Sequence, residues 1–180
     1  MTDSTPAPSL HKAIAPLGFL IGTWGGTGHG EYPTIESFDY RETIIFGTVA
    51  GKPFLTYGQR TSSVATGLPL HAETGYVRLV DGATVEFVLA HPSGIVEIEE
   101  GPFEARLGGG ALVLRTTVVR STSTAKDVTE LVRSFEIDGE TLSYRVAMAA
   151  VGVPLTHHLS ATLRRHVPDV GPGLRSFAGG

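Results

Sequence analysis

With no cysteine in the chain, its seven histidines are the main candidates for metal ligation or proton transfer. Thiolate metal sites, iron–sulfur clusters, disulfides and a cysteine nucleophile are excluded on the same ground. Two histidines adjoin in Pro154-Leu-Thr-His157-His158-Leu159. On a strand, neighbours face opposite sides, so one imidazole points into the fold and the other out. His157 shares parity with Leu159, Ala161 and Leu163. His158 shares parity with Thr156, Ser160 and Thr162. A uniformly apolar interior favours His157 inside, whereas a bulky flat ligand favours His158, whose small neighbours leave room. Parity leaves both open, and a plain structural or exposed pair is the commoner reading of such a motif. His91, in Ala90-His-Pro-Ser-Gly94, continues the face of Val85, Phe87 and Leu89 and reaches a cavity or only a turn. Lys126, one of three lysines, sits in a Ser/Thr-rich loop, solvated or paired with a ligand carboxylate at a mouth. Gly22-Thr-Trp24-Gly-Gly-Thr-Gly28 carries no Lys-Ser/Thr ending and precedes no helix, so it is no phosphate loop. It reads more simply as a bent strand with Trp24 plugging one end of a barrel. No His-Glu-x-x-His or Gly-x-Ser-x-Gly occurs, and Glu97, Glu99 and Glu100 read as an outward strand face.

The elements that must position these groups read as strands. Ser9 can cap a short helix from Leu10 to about Leu20, kinked at Pro16. From Gly22 onward, β-branched and aromatic runs alternate with turn signals such as Asp81-Gly82 and Asp138-Gly139. The pattern predicts nine or ten strands at spacings of about 8–12 residues, nearly all joined by hairpin turns. Such a meander ends best by closing on itself, which removes both edges. The expected fold is all-β: a roughly ten-stranded antiparallel up-and-down β-barrel, lipocalin-like or fatty-acid-binding-like, behind a short N-terminal helix. A barrel of that size can enclose one small ligand. Residues 9–168 form the domain, and 1–8 and 169–180 read as flexible tails. A net charge of -4 argues against a nucleic-acid binder. No apolar run of 18 residues spans a membrane, and the N-terminus lacks the pattern of a secretion signal, so a cytoplasmic protein is expected.

Five blocks in order resemble the nitrobindins. They are Gly-x-Trp-x-Gly-x-Gly with Tyr32-Pro-Thr-Ile35 behind it, Lys52-Pro-Phe-Leu-Thr-Tyr57, Leu70-His-x-Glu-x-Gly-Tyr76, Leu89-Ala-His-Pro-Ser-Gly94, and Pro154-Leu-x-x-His-Leu159. The resemblance covers about Leu10 to Arg165 and is nearest the bacterial single-domain peroxynitrite isomerases. It implies a barrel holding one haem b per chain at an open end, with His158 as axial iron ligand. It places haem contacts on Thr34 and Lys126, and gives His29 no role. The implied activity is isomerisation of peroxynitrite to nitrate at ferric iron, with reversible nitric oxide binding. A sparsely polar cavity wall beyond the iron is expected, with Phe46, Leu55 and His91 as its open candidates. The partners expected are these small molecules, with a homodimer left open. The alternative is a non-enzymatic carrier of a fatty acid or other apolar ligand.

Overall fold

A computed structural model describes residues 10–166. Ser9 and both expected tails lie outside that range. A 3-10 helix, Lys12–Leu20, opens the chain, with His11 as its cap: the Ala13 N–H donates to His11 Nδ1. Pro16 sits inside this tight helix, and Ile14, Leu17 and Leu20 form its buried side.

Ten strands follow: β1 Gly22–Tyr32, β2 Ile35–Thr48, β3 Leu55–Ser63, β4 Pro69–Val80, β5 Thr84–His91, β6 Ile95–Arg106, β7 Gly109–Ser121, β8 Val128–Asp138, β9 Thr141–Ala150 and β10 Val153–His166. Each pairs antiparallel with its sequence neighbour, and β1 pairs with β10, so the sheet closes into the expected barrel. Alternation drives burial. In β2, Tyr40, Glu42, Ile44 and Phe46 point inward and the residues between them are more exposed. At the β4–β5 hairpin, Asp81 and Gly82 both take left-handed backbone angles, in a turn closed by the Ala83 N–H on the Val80 carbonyl. Several strands run longer than their apolar runs predicted. β6 continues through Gly101 and Pro102 to Arg106, because a Cβ at residue 101 would strike the Val113 carbonyl and only glycine lets β7 come that close.

Up-and-down connectivity sorts the loops to two ends. At the end where β1 begins and β10 stops, the helix lies across the barrel and Trp24 is fully buried. The Trp24 indole donates to the Leu20 carbonyl at 2.8 Å, and the Arg165 guanidinium stacks on its ring at 4.0 Å from the centroid. Trp24 is therefore the plug expected from the sequence. Among the described residues no helix is long and apolar enough to cross a membrane.

Candidate functional site

The opposite end of the barrel opens into a cavity of about 680 Å³. Thr34 from the β1–β2 turn, Lys126 from the β7–β8 loop and His158 of β10 all line it. The three sequence-predicted site residues, far apart in the chain, are thus brought together. His91 lines the same cavity, whereas Phe46 and Leu55 are buried away from it in the core.

A β-bulge brings His158 rather than His157 to the cavity. His157 pairs with Ala147 and Leu159 with Val146, so His158 is an extra residue without a partner of its own on β9. The bulge resets the alternation. After it, Leu159, Ala161 and Leu163 face inward, and His158 reaches the cavity as well. A strictly regular strand cannot put both residues 158 and 159 on one side.

The His158 ring is held firmly. Its Nδ1 lies 3.0 Å from the Glu31 carbonyl oxygen, which can only accept, so Nδ1 carries the proton and Nε2 is left bare. Glu31 is itself at an irregularity in β1, between Gly30 and Tyr32. The Tyr32 ring stands edge-on to the imidazole, with centroids 5.3 Å apart. Its hydroxyl takes the Ala150 N–H at 3.0 Å and donates to the Met148 carbonyl at 3.1 Å, tying the ring to β9. Burial pushes the His158 pKa below its ordinary value, against the pull of the Glu31 carbonyl, so the imidazole is neutral. A neutral ring with one nitrogen fixed by a carbonyl is what a metal ligand needs.

The glycines of β1 serve the same wall. A Cβ at residue 28 would run into the Tyr40 ring. With glycine there, Tyr40 lies across β1 and its hydroxyl bonds the Tyr144 hydroxyl at 2.8 Å and the Ser160 carbonyl at 3.2 Å.

One wall is not apolar. Glu97 and Glu99 were expected to face outward, and both are fully buried. The parity of β6 is inverted: Val96 is half exposed while the two glutamates point in. The reason is Arg133 on β8, which shares the inward face of Leu131 and Phe135 and needs anions around it. Its guanidinium reaches Glu73 at 3.2 Å, Glu97 at 3.2 Å and Glu99 at 3.3 Å. Burial opposes ionisation of Glu73, yet Arg133, His71 and His91 outweigh it and hold that carboxyl well below the usual range. Burial instead dominates at Glu99 and Glu42, both pushed up to about 7. His71, Glu73 and Arg133 were missed from the sequence. The signal was present in parity: residues 71, 73, 75 and 77 share a face, and Val77 is core.

These residues fit a haem. The cavity is of cofactor size and lined largely by apolar side chains such as Ile35, Phe38, Leu70 and Leu159. It holds one neutral imidazole with a bare nitrogen, and an exposed lysine at its mouth can meet a carboxylate.

Comparison with known proteins agrees. A family model described as the THAP4-like, heme-binding beta-barrel domain matches residues 13–165. Peroxynitrite isomerase 2 of Mycobacterium marinum is 56% identical over 156 residues, 87% of this chain and 96% of that protein. Peroxynitrite isomerase of Nocardia farcinica is 53% identical over 165 residues, covering 92% and 98% of the two chains. The crystal structure of Rv2717c from M. tuberculosis superposes with a TM-score of 0.86 at 49% identity, covering 88% of this chain and all of that one. From the helical plug to the last strand, then, the chain belongs to the family of THAP4-like heme-binding β-barrel domains, and haem is its cofactor.

Proposed function

We propose that this protein is a haem-dependent peroxynitrite isomerase in which His158 would bind the haem iron. The observation that carries the reading is the bulged His158, its Nδ1–H fixed on the Glu31 carbonyl and its Nε2 free at a cavity of about 680 Å³. The names of the Mycobacterium marinum and Nocardia farcinica relatives support the activity. When bound, the haem iron supplies the Lewis-acid and redox chemistry that rearranges peroxynitrite to nitrate. The chain's own residues do the rest. His158 supplies one strong nitrogen donor. The Tyr32 ring and the Glu31 carbonyl keep it from rotating. Lys126 at the mouth would pair with a haem carboxylate, and Thr34 of the β1–β2 turn would help hold the cofactor. The apolar lining would keep bulk water from the cavity, and reversible nitric oxide binding belongs to the same reading. The setting is cytoplasmic, and the partners are these small molecules.

The test is a haem titration followed by absorbance on wild type, His158→Ala and His157→Ala, with peroxynitrite decay by stopped flow. Wild type and His157→Ala should take up one haem with the same Soret band and speed the decay. His158→Ala should lose both. A folded wild type that ignores haem but binds a fatty acid would overturn the reading in favour of an apolar carrier.

A further inference from the structure

A second set of metal-ligating atoms lies in the same cavity, on strands that do not carry His158. His71 and Glu73 of β4 and His91 of β5 bring three donor atoms within 4.8 Å of one another. His71 Nε2 is 3.1 Å from His91 Nδ1 and 3.5 Å from Glu73 Oε1, and His91 Nδ1 is 3.8 Å from the same oxygen. A triangle with those edges has a circumscribed radius of about 2.0 Å, the length of a zinc–nitrogen or zinc–oxygen bond. We propose that His71, Glu73 and His91 form a second metal site, taking a divalent transition ion such as Zn²⁺ or Fe²⁺ through two imidazoles and one carboxylate.

The surroundings are those of a built site. His91 Nε2 lies 2.9 Å from Glu97 Oε1, a carboxylate oxygen that accepts its N–H, which turns Nδ1 toward the other two donors. A histidine fixed by a carboxylate behind it is the usual support of a metal ligand. Glu73 is held from the far side by Arg133 and by the Tyr57 hydroxyl at 3.2 Å. Charge points the same way. Arg133, His71 and His91 face three buried carboxylates, and Glu97 Oε2 is buried without a hydrogen-bond partner. Two imidazoles and one carboxylate suit ions of intermediate softness and leave coordination positions open toward the cavity. His71 is partly exposed, so an ion has a way in.

The site does not depend on the haem assignment. The experiment uses the full chain, haem-loaded and as purified, stripped of loose metal with a chelator and titrated with zinc chloride. Zinc bound per chain is read by mass spectrometry of the metals, and its position by anomalous diffraction at the zinc edge. One zinc per chain is expected, with a peak between residues 71, 73 and 91. Affinity should fall at least tenfold in His71→Ala and in Glu73→Gln, and stay unchanged in His29→Ala, which removes only the exposed His29–Asp39 pair. His71→Ala decides the matter if Glu73→Gln fails to fold. Less than one zinc per chain, or uptake indifferent to His71→Ala, would overturn the proposal. So would a shift of the Soret band in His71→Ala with zinc uptake unchanged, which assigns His71 to the haem instead.

Discussion

Where β1 begins and β10 stops, the barrel is stoppered by a helix and an indole. Trp24, Leu17 and Leu20 are wholly buried there, and the polar atoms near them are backbone carbonyls already taken by Trp24 and Arg165. At the other end the same strands enclose a cavity whose wall holds Arg133 among glutamates and histidines. The first end contributes stability by apolar burial. The second gives up some of that burial to hold groups that ligate, accept protons and balance charge. The contrast teaches that one meander of alternating strands can carry both kinds of interior, since each strand crosses from one end to the other.

The sharpest way to break this comparison is at Arg133. Arg133→Met removes the guanidinium and strands Glu73, Glu97 and Glu99 in the interior. Breaking a buried ion pair from one side costs about 3–5 kcal/mol, and the upper part of that range is expected here because three partners lose their cation. Urea unfolding at neutral pH reads it. A loss below about 1 kcal/mol would mean the open end carries no buried charge in solution.

At the closed end, Trp24→Ala empties the plug. A large aromatic cut to alanine costs about 3–5 kcal/mol, here with the lost bond to the Leu20 carbonyl and the bare underside of Arg165. For a domain of this size the melting temperature should fall on the order of 10 °C. Haem uptake well below the melting point should be unchanged. A variant that melts normally but loses haem would show that the two ends are not separable.

Glu42 sits between the two ends and sharpens the comparison by pH. Burial outweighs its bonds from Gln59 and Tyr144 and raises its pKa to about 7 from an ordinary 4.5. The folded chain therefore holds a proton that the unfolded chain releases between those values. That stability is full below about 4.5 and is lost as pH rises through about 7. Glu42→Gln should flatten the fall in stability from pH 5 to pH 8 and gain about 1–2 kcal/mol at pH 8. Thermal melts of both proteins across that range decide it. A wild-type stability that rises with pH over this interval, with no change in Glu42→Gln, would show Glu42 ionised throughout.

Much of this was legible in the residues. The hairpin signals at Asp81-Gly82 and Asp138-Gly139, the run of alternating strands and the apolar face of Val85, Phe87 and Leu89 led to a closed barrel, and Trp24 read as its plug. The motif behind Leu159 pointed to His158, but strand parity did not, because a bulge is a one-residue defect that an alternating pattern hides. The acidic face of β6 was read outward on the assumption that interiors are apolar. Arg133 on the same parity as Leu131 and Phe135 was the residue that should have reversed it. A buried cation demands buried anions, and these lie two strands away on β6 and four strands away on β4, which is not a local signal.

The mildest expected change is Tyr32→Phe, and it tests the open end alone. The ring stays, so the edge contact with His158 survives, but the hydroxyl between the Ala150 N–H and the Met148 carbonyl is gone. A buried donor left without its acceptor costs about 1–3 kcal/mol, and the low end fits a site at the cavity's edge that water can reach. The functional effect runs through position rather than chemistry. With the ring no longer tied to β9, His158 keeps its bond to the Glu31 carbonyl but loses its lateral support. Haem affinity should fall a few-fold while the absorbance of the loaded protein stays that of wild type. His158→Ala, by contrast, should change the spectrum itself. If Tyr32→Phe alters the Soret band as His158→Ala does, the phenol touches the cofactor directly and is more than a brace for the imidazole.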